Sequence, residues 1–466
     1  MAQNAESNMS LQDKIDSATS YLIDKYSRGG ARIGWLMIAS IFVESWDLYS
    51  ISFILVFLSV IFHPSALLLG LTAAATQGGA VIGALIGGWL ADKIGRRPIF
   101  LSTMIIFIIF GLAQAFAPNM VVLSILRLIL GIPLGMDIAS GYTYIMESMQ
   151  KGKREVMGNR WQMMFAVGEL SAIAVIAAFL FAHVAPDWIW RVVLGASAIP
   201  AFVILVLRWN LPETSIWLIQ HGKFKEAKKV TKDIYNDDLV MLPDEDFNIP
   251  KPHLGKFLSE IRKDTKKWRA TLYGWIACFA QSTEFSTFAF YIPVLFVLLH
   301  VSGILGTDLI TFAIYVVALI SSIIGPWLTP KIGLRKLSIY GFSIVLIALL
   351  IAAAAIFSHY LIILPIVAGL MLFGHYWDAE PVMTIPSMVA PPKYKGTSSG
   401  FAYIWVKLPA FLSIFLFPSL FDSIGKGGAT LFIALFPSIG LLSAIFILPE
   451  LYGYNEARKK VPEEKE

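Results

Sequence analysis

Residues 87–97 read GGWLADKIGRR, and residues 325–335 read GPWLTPKIGLR. Seven of the eleven positions are identical: the first Gly, the Trp, Leu, Lys, Ile, second shared Gly and final Arg. Each copy follows one apolar run and precedes another, so each marks the same corner of one half of a duplicated chain. Two halves of like topology are what alternating access needs, because rocking one against the other exposes a midplane site to each side in turn. Gly87 and Gly88 allow helices to approach closely. Asp92 stands where a helix leaves the apolar region, and it can pair with nearby arginines or cap a neighbouring helix. Such a cluster can latch one conformation. In the second copy Pro330 replaces the aspartate, which weakens or removes the latch there.

The runs around these copies decide the class. Of 466 residues, 57% are hydrophobic and 15% charged, where a soluble chain carries roughly a quarter charged. Spanning ~30 Å of hydrocarbon takes ~20 apolar helical residues. Such segments fall near 33–57, 67–91, 98–117, 120–147, 156–182 and 190–209, then near 270–298, 306–329, 334–357, 360–388, 398–420 and 428–449. The expectation is an all-α integral membrane protein with twelve transmembrane helices in two pseudo-symmetric six-helix bundles. It divides into a cytoplasmic N-terminal segment (1–31), an N-terminal bundle (32–209), a cytoplasmic linker (210–269), a C-terminal bundle (270–449) and a cytoplasmic tail (450–466). The first span is long enough that it must tilt or bend. The linker run KFKEAKKV (residues 223–230) has the pattern of a soluble helix.

Basic residues orient the spans. Lys14, Lys25, Arg28 and Arg32 precede the first; Lys93, Arg96 and Arg97 follow the second; Lys151, Lys153 and Arg154 follow the fourth. Lys331, Arg335 and Lys336 follow the eighth, Lys393 and Lys395 the tenth, and Arg458, Lys459 and Lys460 lie in the tail. The alternate loops hold almost none, Lys426 being the exception. By the positive-inside rule, both termini and the linker are cytoplasmic, in a multi-pass protein of the plasma membrane. The net charge of +5 comes from these clusters. They do not form a basic groove, so nucleic acid is not an expected partner. The single cysteine, Cys278, excludes an internal disulfide, and no His/Cys spacing suggests a metal. The first 30 residues lack a signal-peptide core, so the first helix reads as an uncleaved anchor. Leu11, Ile15, Ala18 and Leu22 share one helical face, fitting an interfacial helix or a short cytoplasmic one. The glycines of span two (Gly78, Gly79, Gly83, Gly87) form a packing seam. They do not follow a strand as a phosphate loop would.

Ionisable residues inside the spans carry the functional signal. Glu44, Asp47, Asp137, Glu169, Glu284, Asp378, Glu380 and Lys407 all lie in apolar runs. Each costs roughly 2.5–3.5 kcal/mol to insert at a helix centre, so each reads as an ion or substrate site by default. Glu44 and Asp47, three apart on one face, can share a proton. Asp137 or Asp47 is the expected proton carrier, with Glu44 supporting; pairing of Asp47 with Arg127 is the structural alternative. Glu169 fits a helix–helix hydrogen bond as well as a site. Asp378 and Glu380, just before Pro381, fit a cavity wall or an extracellular gate. Lys407 can meet an anionic substrate or neutralise a carboxylate such as Glu284. Gln162, Gln281 and Tyr291 offer neutral hydrogen bonds at similar depth.

The GxxxDKxGRR pattern ending at Arg97 resembles the signature of the major facilitator superfamily. Arg127, Gly131, Gly135, Glu147 and Arg154 have the spacing of its sugar porters and their organic-ion and phosphate relatives, and PETSIWL (residues 212–218) is similar to their PESPRWL. The resemblance covers the chain apart from its tails, and it implies gating roles for Asp92, Arg96, Arg97, Arg127, Glu147 and Arg154. Gln162 matches the sugar-binding glutamine of the fifth helix. AQSTEFSTFAFYIP (residues 280–293) resembles the seventh-helix QQxTGxNxxxYYxP, keeping Gln281, Thr283, Tyr291 and Pro293. Ala280, Glu284 and Ser286 depart from it, and Met383 stands at the family's tenth-helix tryptophan. Phosphate:proton symporters resemble the chain at Glu44 and Asp47, at Asp137 and at Lys407, while Thr287 and Phe165 depart from their pattern.

These resemblances imply a secondary-active symporter that takes a small polar solute with protons. It needs no cofactor beyond the proton gradient, and its partners are the solute and the bilayer. A monomer is expected. An anion, phosphate or a small carboxylate, is preferred because of Lys407. A sugar porter is the alternative, favoured by Gln162 and Gln281. A membrane enzyme or a non-transporting receptor comes last, since no nucleophile or metal constellation is evident.

Overall fold

The computed structural model describes residues 10–250, 252–290, 292 and 304–455, and its regular structure is helical throughout. Helix α1 (Leu11–Asp24) precedes the first span, which is broken into α2 (Gly30–Ile38) and α3 (Ser40–Phe62). The two pieces meet at Ala39, whose backbone stays in the α-helical region. Next come α4 (Ala66–Ile94), α5 (Arg96–Gln114) and α6 (Met120–Ser148). The fifth span comprises α7 (Lys153–Asn159) and α8 (Trp161–Phe181), and the sixth α9 (Pro186–Gly195) and α10 (Ala198–Arg208).

The polar segment contributes α11 (Ser215–Gln220), α12 (Phe224–Tyr235) and α13 (Phe257–Arg262). The second half begins with α14 (Thr265–Glu284), which runs on through a π-helical turn at Phe285–Ala289. The rest of that expected span, including Tyr291 and Pro293, lies outside the described residues. Then follow α15 (Ile304–Phe357), α16 (Leu364–Val389) and α17 (Lys395–Phe446).

Among the described residues, ten helical stretches are long and apolar enough to cross a membrane. One of them, Gly306–Phe357, is two spans joined at Gly333, whose φ is 81°. With the span that starts at α14, the architecture has twelve transmembrane helices. Their outer faces are apolar: Ile105, Ile109 and Leu112 on α5 are exposed at helical spacing, as are Leu435, Ile439, Leu442 and Phe446 on α17. Surfaces of that kind suit lipid.

Small residues set the closest packing. A Cβ on Gly79 would lie 1.9 Å from the Leu128 carbonyl oxygen, and one on Gly131 would lie 2.1 Å from that of Thr76. Helices α4 and α6 therefore touch backbone to backbone, as small-residue seams allow. Gly88 makes a similar approach across the two halves, to Gly396 on α17.

The repeated corner is a shared piece of stereochemistry. Gly95 (φ 111°) and Gly333 (φ 81°) turn the chain in a region that favours glycine. Beside each sits a glutamate from the end of its own half. Glu213 accepts from the Arg97 backbone N–H at 3.1 Å. Glu450 accepts from Leu334 at 3.1 Å and Arg335 at 3.2 Å. Arg97 and Arg335 in turn donate to carbonyls of the sixth and twelfth spans, at Trp209 and Ile445. The second copy lacks the aspartate but keeps this clasp, which the sequence reading of Glu450 as tail did not anticipate.

The termini and the polar segment share one face. Asn455 Nδ2 donates to Asp24 Oδ1 at 3.0 Å, and Gln220 Nε2 to Thr19 Oγ1 at 3.1 Å. Ile15, Ala18, Leu22 and Ile23 of α1 are buried against protein, so this helix does not offer its apolar face to lipid. Lys25 Nζ and the Tyr21 hydroxyl both donate to Asp237. The Lys25 hydrogen bond, then that from Tyr21, holds the Asp237 carboxyl at about 2.

Two outcomes are expected. The folded value of Asp237 lies below its ordinary one, so its contribution is present above about pH 4 and is lost as the pH falls through about 2. Tyr21 fluorescence anisotropy in a fragment-free acid titration should report α1 undocking only in that window. Glu450→Ala leaves four backbone N–H groups without their acceptor, those of Leu334, Arg335, Leu451 and Tyr452. It should cost about 2 kcal/mol and lower the melting temperature in detergent; an unchanged melt would remove the clasp from the account.

Candidate functional site

Helix α3 carries Glu44 at mid-depth with its carboxylate turned toward the other half. It accepts from the Tyr403 hydroxyl at 2.6 Å and from Lys407 Nζ, both on α17. Glu44 is 3% exposed and Lys407 4%. Either charge alone would be costly at this depth; together they are neutral and hydrogen-bonded. Lys407 thus answers Glu44 and not Glu284, the carboxylate set against it by the sequence reading.

Around this pair lies a cavity between the halves, with about 40 Å³ of space that water centres can occupy. Gln77, Trp161, Gln162 and Phe165 line it from the first half; Gln281, Ser282, Phe285, Ser286, His375, Tyr403 and Lys407 line it from the second. The aromatic rings form a continuous wall: Trp161 to Phe165 and Phe165 to Phe285 meet edge to face, each with centroids 6.1 Å apart. Three polar atoms of the lining residues have no partner among the described residues: Gln77 Oε1, Trp161 Nε1 and Gln281 Nε2. Buried groups of this kind are normally satisfied, so neutral donors and acceptors stand ready for a solute or water. Amides among ring faces suit a molecule with hydroxyls at its edge and C–H groups on its faces.

The other charged candidates separate from this cavity. Asp47 forms an ion pair with Arg127 at 3.2 Å, and also accepts from Gln114 and Thr76, each at 3.3 Å. Three residues along a helix leave Asp47 about 60° round the axis from Glu44, so each carboxylate has its own basic partner on a different helix, α6 or α17. They do not share a proton. Asp137 does not line the cavity either. It accepts from Arg208 at 2.8 Å and Thr103 at 3.1 Å. Arg208 also donates to the Leu36 and Met37 carbonyls and the Ser40 hydroxyl. This network staples spans one, four and six within the first half, and Asp137 and Lys407 do not meet. Glu284 lies behind His375, 3.2 Å from its Nδ1. Glu169 accepts from the Tyr376 hydroxyl across the halves.

On the face that carries the termini, the cavity is closed by the first motif copy. Arg96 binds Glu147 at 2.7 Å and Asp92 at 3.0 Å. Asp92 accepts from the Gly396 N–H at 2.9 Å, and from the Thr397 N–H and Oγ1, each at 2.7 Å. It therefore caps α17 of the opposite half, a carboxylate on a helix N-terminus. Glu147 also accepts from Thr214 at 2.6 Å. Arg154 reaches the Met146 and Tyr454 carbonyls, tying the tail to the first half. On the other side, Ser52 Oγ donates to the Phe290 carbonyl at 2.7 Å, and the Tyr49 and Tyr315 hydroxyls lie 2.5 Å apart.

Tyr403, Trp161, Gln77 and His375 are wall residues that the sequence reading missed. Tyr403 stands four residues before Lys407 and so shares its helical face, a signal that was available. Nothing comparable marked Gln77.

A family model described as "Sugar (and other) transporter" matches residues 15–455. The chain is 27% identical over 399 residues to the glucose transporter GlcP of Staphylococcus epidermidis, covering 82% of this chain and 86% of that one. It is 24% identical over 426 residues to the inner membrane metabolite transport protein YgcS of Escherichia coli, covering 91% and 92%. The major facilitator superfamily proton:xylose symporter XylE, from E. coli, superposes with a TM-score of 0.77 at 19% identity, over 91% of this chain and 97% of that one. That likeness shows the fold.

Replacing Asp92 by Asn removes the charge that faces both Arg96 and the α17 N-terminus. Spin labels at Ile94→Cys and Lys393→Cys, on opposite halves, should then show a longer-distance population several-fold larger than in the parent. An unchanged distance distribution would contradict a latch at this corner.

Proposed function

The chain belongs to the sugar (and other) transporter family of the major facilitator superfamily, and from that premise we propose that it moves a small neutral polyhydroxylated solute, a sugar or a close chemical relative, in symport with protons. One observation carries this reading. The cavity presents unpartnered neutral atoms of Gln77, Trp161 and Gln281, while its lysine is already answered by Glu44. A hydroxylated solute satisfies those atoms, whereas an anion must first separate Lys407 from its carboxylate. The glucose transporter GlcP among the relatives and the proton:xylose symporter XylE among the structures support the same class.

The proposed mechanism follows from where the pairs sit. A proton on Asp47 weakens its hold on Arg127 and frees the bonds from Gln114 and Thr76. This loosens α3 against α4 and α6, one turn from the cavity residues Glu44 and Leu48. Solute contacts from Gln162 and Gln281 draw the halves together, and the latch at Asp92 opens or closes the face bearing the termini. By the positive-inside rule the basic clusters support a cytoplasmic position for that face, and the reading puts the protein in the plasma membrane. Each chain supplies both halves of the site, so a monomer suffices.

A second reading rests on the same pair. If Glu44 takes the coupling proton, Lys407 is released to bind an anion such as phosphate or a small carboxylate.

Uptake into proteoliposomes under an imposed inward proton gradient separates these readings. Labelled sugars should accumulate, and a protonophore should abolish the accumulation. Asp47→Asn should retain exchange but lose accumulation. Gln162→Ala and Gln281→Ala should each raise KM about tenfold, the loss of roughly one hydrogen bond. Accumulation of phosphate or carboxylates with no sugar uptake would overturn the neutral-solute reading in favour of the second.

A further inference from the structure

Behind the cavity wall lies a charged cluster that the solute site does not use. Glu284 on α14 and His375 and Asp378 on α16 bring two carboxylate oxygens and a ring nitrogen within 4.8 Å of one another. His375 Nδ1 is 3.2 Å from Glu284 Oε1 and 3.7 Å from Asp378 Oδ1. Both carboxylates are fully buried. Glu284 Oε2 and both oxygens of Asp378 accept no hydrogen bond from any donor among the described residues. Of the three residues, His375 alone lines the solute cavity, where its ring stacks on Phe285 with centroids 4.4 Å apart.

Among the described residues, no fixed cation forms an ion pair with these acids. On α14, Tyr273 is a further titratable neighbour of Asp378, with Cys278 beside it; on α16 itself the buried Glu380 stands two residues on, and α15 meets Asp378 through the backbone at Gly341. From α8, Glu169 is held by Tyr376. Across the cavity, Glu44, Lys407 and Tyr403 answer one another. Two carboxylates this close in a medium of low dielectric cannot both stay ionised without a positive partner. A single proton resolves the conflict, because a protonated carboxyl becomes a donor to its neighbour and satisfies otherwise orphaned oxygens.

We propose that Glu284 and Asp378 hold one proton between them, exchanged with the solute cavity through His375, as a second proton-binding site in the C-terminal half. This deepens, and rests on, the proton-coupled reading above. In loading, His375 takes a proton from hydronium in the cavity at one ring nitrogen and gives its Nδ1 proton to Glu284, leaving water behind and the ring neutral. Release runs the same transfers backward.

Infrared difference spectroscopy of the full-length protein in liposomes, without solute, tests this directly. At neutral pH the spectrum should contain a protonated-carboxyl component that disappears in both Glu284→Gln and Asp378→Asn and persists in Asp47→Asn. Both substitutions are isosteric, and each puts an amide N–H donor where the shared proton was, leaving the single negative charge of the pair unchanged. His375→Phe should keep the component and slow its hydrogen–deuterium exchange at least tenfold; unchanged exchange would remove His375 from the path. If neither variant loses absorption, the shared proton is excluded. The same holds if elemental analysis finds a bound metal ion that Asp378→Asn abolishes, since a cation then neutralises the pair. Because no solute is used, failed sugar uptake with an intact carboxyl signal would count against the transport reading alone.

Discussion

The ion pair between Glu44 and Lys407 is the constraint around which the centre of this molecule is organised. It joins residues 363 positions apart in the chain and from opposite halves. It also makes two charges tolerable where each alone would cost several kcal/mol. The same rule accounts for the buried arginines. Arg127 meets Asp47, Arg208 meets Asp137, and Arg96 meets both Asp92 and Glu147. Neutrality at depth dictates where each of these helices may sit.

The pairs divide by what they connect. Those of Asp47, Asp137 and Glu147 lie within the first half and hold it as a rigid body. Glu44 to Lys407, Asp92 to the α17 N-terminus, Ser52 to Phe290 and Tyr49 to Tyr315 cross between the halves. In the proposed cycle a rocking motion remakes the second group, while within the first the Asp137 and Glu147 networks stay in place and the Asp47 pair loosens when a proton arrives. The cavity lies among the crossing contacts, so under the proposed function occupancy and conformation would be coupled through the same few side chains. The clasp of Glu213 on one corner and Glu450 on the other keeps each half stiff at the point where the chain turns.

Hydropathy made the twelve spans legible, because a lipid-facing helix has no other composition open to it. The duplicated corner was legible through its identical residues, and Asp92 as a cap through its place at a helix end. Glu44 and Lys407 stood out singly as charges in apolar runs, yet nothing in their spacing revealed that they face each other; that depends on how two halves dock. Asp137 stood out in the same way, and its partner is Arg208, a residue that the sequence reading did not single out and that the fold buries. Lys407, read as meeting an anion or a carboxylate such as Glu284, meets Glu44. His375 carried no signal of its own, since a histidine in a helix becomes informative only when two carboxylates are found beside it.

The central claim, that a neutral pair bridges the halves at the cavity, is tested most directly by a double-mutant cycle on thermal stability at mildly alkaline pH, using Glu44→Gln, Lys407→Met and the two combined. Each single variant leaves one buried charge or its partner unmatched and should lose about 3 kcal/mol, while the double variant should recover most of that loss. Losses that simply add would contradict a bridging pair, and with it the neutral cavity on which the account stands.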